Sequence, residues 1–305
     1  MCRLLGYLGS PVLLEKLIFE PDHSLVVQSY QPQELEGALL NADGFGLGWY
    51  GAETHQPPYI YRNILPIWND ANLPELCRYV QTPAMLAYIR SATPGQAVTV
   101  NNCQPFRWQN LLFVHNGFIE NFRETLYRPL RKRLCDTAYK AIHGTTDSEH
   151  IFGLLIHQLE TQPGIDLAEA VDQTISIVSR LAKEQNTRAL IALIVSTGSR
   201  MVAVRHDTPR QPVSSPDLAS LNLSSPDKSG NPPSFYYLRG DGAQPNGDSN
   251  GVVFASEPLN RGPWSPVPKN YLISVTADLA LEQYALSLNC CGSAICRAVR
   301  SARCP

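Results

Sequence analysis

A cysteine stands at position 2, directly after Met1. If an aminopeptidase removes the methionine, one residue carries both a thiol and a free α-amine. The amine has a reference pKa of about 7.7–8.0 and can accept a proton near neutrality. The thiol is the strongest nucleophile of the Ser, Thr and Cys set, so nucleophile and base then sit on one residue. Taken alone, Cys2 is as well read as a chance cysteine, and what decides is the company it keeps.

Three further positions could complete such a site. Arg90 lies in Leu86-Ala-Tyr-Ile-Arg-Ser-Ala-Thr-Pro-Gly95, at the end of a strand pattern and just before a Pro-Gly turn. A strand end is a rigid platform, and a guanidinium grips a carboxylate through two parallel hydrogen bonds. In isolation it is also a solvated edge arginine. Asn116-Gly117, between apolar runs, is the strongest short hairpin signal and taken by itself predicts a type I′ turn. The same pair can aim a side-chain amide and a backbone N–H at one oxygen, as a tetrahedral oxyanion requires. Asp147 reads as an acid in the first turn of a helix, or as the partner of a substrate ammonium group.

The elements that must hold these residues are legible in the pattern. Met85–Ile89, Leu111–Val114, Leu190–Ser196 and Met201–Val204 are short apolar runs of strand length. Ser148–Glu160 repeats Ile151, Leu154, Leu155 and Leu159 at helical spacing behind a Thr146-Asp-Ser-Glu149 capping box. Leu167–Leu181 repeats Ala170, Ile177, Val178 and Leu181 behind Asp166 as N-cap. Asn41-Ala-Asp-Gly-Phe-Gly-Leu-Gly-Trp-Tyr50 alternates Gly with large residues, a mark of close backbone approach. It lacks the G-x-G-x-x-G form of a dinucleotide site. Residues 208–234 are rich in Pro and Ser and read as a disordered insertion. Strand patterns resume at Phe235–Arg239, Val252–Ser256 and Tyr271–Thr276, so the expectation is a surface loop whose flanking strands share a sheet. From 289 the chain is a Cys-rich tail.

Composition excludes several classes. The 305 residues carry 25 Lys plus Arg against 27 Asp plus Glu, a net charge of −2, with no clustered basic patch for nucleic acid or an anionic membrane. The longest apolar run, Ala189–Thr197, is too short to cross a bilayer. Eight scattered cysteines make no compact disulfide framework, so a reducing cytosol is expected. A metal-binding reading rests on Cys290, Cys291, Cys296 and Cys304, but paired C-x₂-C ligands are missing and no His lies nearby. Length alone suggests about two domains.

In this order, Cys2, Asp43-Gly-Phe-Gly-Leu-Gly-Trp49, Arg90-Ser-Ala-Thr93, His115-Asn-Gly117 and Thr146-Asp-Ser-Glu149 resemble the class II glutamine amidotransferase family of N-terminal nucleophile hydrolases. The resemblance implies an α+β fold, a four-layer αββα sandwich, as a single domain over 2–288 with a tail at 289–305. It implies Cys2 as nucleophile, Asn116 and Gly117 as oxyanion hole, Arg90 on a glutamyl α-carboxylate and Asp147 on its α-ammonium. Thr93 and His115 are further substrate-binding candidates. No cofactor or metal is implied, and the expected partner is a small γ-glutamyl substrate; the oligomeric state stays open. Pro94 departs from the Arg-x-x-Thr-His segment of better known members, which puts contacts on that side in doubt. Gln28-Ser-Tyr-Gln-Pro32, Asn41-Ala-Asp-Gly44 and Pro66-Ile-Trp-Asn-Asp70 resemble the branch of free-standing γ-glutamyl hydrolases in ergothioneine biosynthesis. The alternative is a glutaminase subunit that donates ammonia to a separate synthase.

Overall fold

The computed structural model describes residues 2–34, 40–51, 56–92, 96–210, 234–240 and 250–288. In chain order the first strands are β1 (Arg3–Leu13), β2 (Phe45–Trp49), β3 (Tyr59–Asn63) and β4 (Gln81–Ile89). They are followed by β5 (Phe106–Trp108), β6 (Leu111–Ile119), β7 (Ala189–Ser196) and β8 (Arg200–Thr208). The last are β9 (Tyr236–Arg239), β10 (Gly251–Ala255), β11 (Ser265–Pro266), β12 (Tyr271–Thr276) and β13 (Leu281–Ala285). They form two sheets, ordered β11-β9-β10-β1-β4-β2-β3 and β13-β12-β8-β7-β6-β5, and every pairing is antiparallel.

Helices cover both outer faces. α1 (Glu15–Ile18), α2 (Leu25–Tyr30) and α3 (Leu73–Tyr79) pack on the seven-stranded sheet, where Leu17, Ile18, Leu25 and Leu73 meet Leu5, Phe45 and Met85. The short α4 (Phe122–Thr125), α5 (Tyr127–Arg131) and α6 (Asp136–Lys140) lead into the long α7 (Asp147–Thr161) and α8 (Leu167–Glu184). Ile151, Leu154, Val171 and Val178 of the long pair cover Phe113, Ile191 and Leu193 of the six-stranded sheet. A third core fills the gap between the sheets, built from Leu4, Leu86, Val114, Ile194, Met201, Phe254 and Ile273. Three apolar interfaces thus separate four layers, and each fully buried Leu or Ile adds roughly 1.5–3 kcal/mol to hold them. Because both faces of β7 are covered, all eight of its residues are buried and its sequence runs apolar without alternation.

The structure bears out the αββα reading and departs from expectation in two places. The segment from 208 to 234 joins β8 of one sheet to β9 of the other, so its flanking strands do not share a sheet. They share the inter-sheet core instead, through Met201 and Ala203 on one side and Phe235 on the other. Residues 211–233 and the tail from 289 lie outside the described residues, and with them the insertion and the tail cysteines. The second departure is the capping box. Thr146 Oγ1 accepts from Glu149 N at 3.2 Å as predicted. The Glu149 carboxylate does not return to the cap but reaches back to His143 N at 2.9 Å and Gly144 N at 2.6 Å, tying down the turn that delivers α7. Asp166 caps α8 through Ala168 N at 2.8 Å and Glu169 N at 3.4 Å. No helix among the described residues is long and apolar enough to cross a membrane.

Candidate active site

Register places the nucleophile candidate. β1 pairs with β4 as Arg3↔Ile89 and Leu4↔Tyr88, so Cys2 lies opposite Arg90. Alternation along the strands turns Cys2, Leu4, Tyr88 and Arg90 to one face, toward the gap between the sheets. The half-buried Cys2 thiol donates to Ser91 O at 3.3 Å and accepts from Ser91 N at 3.2 Å. Its carbonyl accepts from Arg3 Nη1 at 2.9 Å, and Arg3 Nη2 donates to Glu257 at 2.5 Å. Glu257 also takes a hydrogen bond from His23 at 2.6 Å, from Gln33 N at 2.8 Å and from Glu34 N at 3.2 Å. Burial pushes the Glu257 carboxyl up, but the His23 hydrogen bond, the Arg3 charge and the two backbone donors overcome it and hold the pKa down at about 2. The start of β1 is therefore anchored from behind by a buried carboxylate.

Arg90 is buried, which removes the edge-arginine reading. Its Nη2 donates to Ala97 O at 3.2 Å and Gln96 at 3.4 Å, while Nη1 has no partner among the described residues. Asp43 fixes the backbone around it: Asp43 N donates to Arg90 O at 3.1 Å and Asp43 Oδ2 accepts from Ala92 N at 2.7 Å. This explains the Asp-Gly start of the glycine-alternating segment. Within that segment a Cβ on Gly46 would lie 2.2 Å from Gln104 O, so the close approach read from the sequence is real. Thr93 and Pro94 fall outside the described residues.

Asn116-Gly117 is not a hairpin. β6 runs through it to Ile119 and pairs Asn116↔Ala192 and Gly117↔Ile191. The glycine is required because a Cβ there would sit 1.9 Å from Leu190 O, and the backbone holds a φ of +156°. Asn116 faces the gap: its amide nitrogen reaches Ser256 Oγ at 3.4 Å, and the same hydroxyl accepts from Leu4 N at 3.1 Å. Ser256 thus holds Asn116 of one sheet beside the start of β1 in the other. The amide nitrogen carries two hydrogens, so one remains for a substrate oxygen.

His115, one residue earlier, turns the opposite way, toward the helix layer. It is buried, with Nδ1 2.8 Å from Ser148 Oγ and Nε2 3.3 Å from Leu190 O. Burial pushes its imidazolium pKa down, against the pull of the Asp147 charge. The structure therefore places His115 beside Asp147 at the N-terminus of α7, which it braces, with its ring turned away from the gap that Cys2, Arg90 and Asn116 face. Asp147 begins α7 and is buried; one oxygen accepts from Ile119 N at 2.8 Å and the other from Ser148 N at 2.8 Å. It lies close enough to the Tyr88 phenol for its charge to be felt there.

Two residues in this neighbourhood escaped the sequence reading. Tyr88, two positions before Arg90, is buried in the inter-sheet core against which Cys2 packs. Asn41 is buried with neither atom of its side-chain amide partnered among the described residues, and its N–H donates to Ser29 O at 2.7 Å. No group of three or more His, Cys, Asp or Glu among the described residues could hold a metal ion.

A cysteine thiol at position 2 on one sheet, a gap-facing Asn on the other and a buried Arg and Asp between layers of an αββα sandwich are groups that an amide hydrolase of the N-terminal nucleophile type can use. The family model for class II glutamine amidotransferases matches residues 13–228, and the chain belongs to that family. It is a hydrolase acting on a γ-glutamyl C–N amide bond, and a cysteine at the N-terminal position is in line with the family. A probable glutamine amidotransferase of Saccharomyces cerevisiae is 31% identical over 308 residues, 92% of this chain and 83% of that protein. A γ-glutamyl-hercynylcysteine sulfoxide hydrolase of Mycobacterium tuberculosis is 29% identical over 278 residues, 90% of this chain and 93% of that protein. Among solved structures, a glutamine aminotransferase class-II domain protein from Silicibacter pomeroyi shares the fold with a TM-score of 0.62 at 22% identity, over 94% of this chain and 100% of that one.

Proposed function

We propose that this chain hydrolyses γ-glutamyl-hercynylcysteine S-oxide to glutamate and hercynylcysteine S-oxide, as a step of ergothioneine biosynthesis, with residues 2–288 forming one catalytic domain. In this reading Arg90 Nη1 takes the glutamyl α-carboxylate and Asp147 its α-ammonium, which fixes the γ-carbonyl over Cys2. The thiolate attacks the carbonyl carbon, and the amide nitrogen of Asn116 and the N–H of Gly117 receive the oxyanion. Collapse breaks the C–N bond as the departing amine takes a proton from the Cys2 ammonium, leaving a glutamyl thioester. Water then adds, the α-amine accepts its proton, and glutamate leaves as the thiol is restored.

The observation that carries the substrate choice is the near end-to-end match to relatives bearing that name, over 90% of this chain and 93–96% of theirs. A second reading is a glutaminase that passes ammonia to a separate synthase, favoured by the yeast relative's name. Steady-state assays separate the two. The expected outcome is a kcat/KM for the S-oxide substrate at least ~100-fold above that for glutamine; the reverse order overturns the proposal in favour of the glutaminase.

A further inference from the structure

We infer that the Tyr88 hydroxyl and the Ser91 N–H form a two-donor cradle for the Cys2 thiolate, so that Tyr88 is a catalytic residue that sets the reactivity of the nucleophile. This rests on Cys2 being the nucleophile. The geometry follows from register: Leu4↔Tyr88 pairing puts the phenol diagonally across from Cys2 on the gap-facing side, and it is buried there. Ser91 N already lies 3.2 Å from the sulfur, from the loop that follows β4. In the thiol form the S–H donates to Ser91 O at 3.3 Å. Once the proton is gone, the sulfur becomes a pure acceptor, and the two donors converge on it from one strand and the loop that follows it. No bond beyond the S–H is made or broken; the proton passes to the α-amine or to solvent.

Burial first, and then the neighbouring Cys2, push the Tyr88 phenol well above its ordinary range. It therefore keeps its proton throughout the working range and is always a donor. The other titratable groups facing this cluster are Arg90 from the end of β4, Asp147 from α7 and the Cys103 thiol, which burial keeps protonated, from the loop before β5. Arg3 and Asp43 stand behind it on the backbone. Arg90 and Asp147 carry opposite charges, so an uncharged hydroxyl donor is a contribution that neither of them cancels.

The test is the rate of Cys2 alkylation by iodoacetamide against pH, together with kcat/KM against pH, in the full chain. Tyr88→Phe keeps the ring in the inter-sheet core. It is expected to move the midpoint of both profiles up by about one pH unit, with kcat/KM near neutrality down about tenfold and KM changed less than twofold. A ring-fluorinated tyrosine at 88, a stronger donor of the same shape, is expected to move the midpoint down. Superimposable alkylation profiles for all three proteins overturn the inference, whatever their stability. Failure of the underlying reading looks different: Cys2→Ala would then retain turnover.

Discussion

The cluster around Glu257 and the cluster around Cys2 are joined by one side chain, Arg3, yet they are completed to different degrees. Both Glu257 oxygens have two donors each: Arg3 and Glu34 N on one, His23 and Gln33 N on the other. At the Cys2 end Arg90 Nη1 and Asn116 Oδ1 have no partner among the described residues, although both residues are buried. A buried polar group without a partner costs about 1–3 kcal/mol. The Glu257 carboxylate is fully partnered, whereas the guanidinium and amide at the Cys2 end keep hydrogen-bonding capacity that a substrate could use. The difference is the one expected between an anchor and the proposed site.

The contrast can be broken from either side. Cys2→Ala removes the nucleophile but no anchor, so glutamate release is expected to fall by at least ~10⁴-fold while the thermal midpoint stays within about 2 °C. A large loss of stability would show that Cys2 belongs to the scaffold. Glu257→Ala does the opposite: it strands the Arg3 charge in the interior and is expected to cost about 3–5 kcal/mol in urea unfolding.

Acid probes the same carboxylate without mutation. The folded pKa of Glu257 is depressed to about 2 from an ordinary 4.5. Its contribution is therefore complete above about 4.5 and is lost as pH falls toward 2. Burial first of all holds His150 and His206 down at about 4, so they begin to subtract stability below their ordinary 6.5. Unfolding midpoints should decline from pH 6.5 downward, and Glu257→Gln should flatten only the part below about 4.5. Arg90→Lys gives the smallest effect: one ammonium cannot serve both the 96–97 loop and a substrate carboxylate as the fork of Arg90 does, so KM is expected to rise about 10–30-fold with kcat nearly unchanged. An unchanged KM would mean that Arg90 serves the 96–97 loop alone.

Much of this was legible before any coordinates. The helical repeats of α7 and α8, their Thr146 and Asp166 caps, and the apolar runs of β4, β6, β7 and β8 are local signals with local causes. The residues that escaped depend on partners far away in the chain. Asn116-Gly117 carries a hairpin signal, but pairing with Ala192 and Ile191 overrides it, and the glycine serves contact with Leu190. Tyr88 looks like any aromatic residue in a strand until the register puts it beside Cys2. His115 sits next to Asn116 in sequence, and the alternation of a strand sends the two to opposite layers. That β8 and β9 belong to different sheets could not be read either, because both patterns satisfy the same inter-sheet core.

The Arg3–Glu257 contact spans 254 residues, and β1 pairs with β10 from Leu5 to Gly9. The start of β1 is therefore synthesised long before its anchor. At ~5–20 residues per second, roughly 13–50 s separate the two partners during synthesis. Such distant pairings are also slow to form once the chain is complete. Throughout that interval the Cys2 thiol belongs to an unfinished sheet, and the nascent protein carries its proposed nucleophile well before the residues around it are in place.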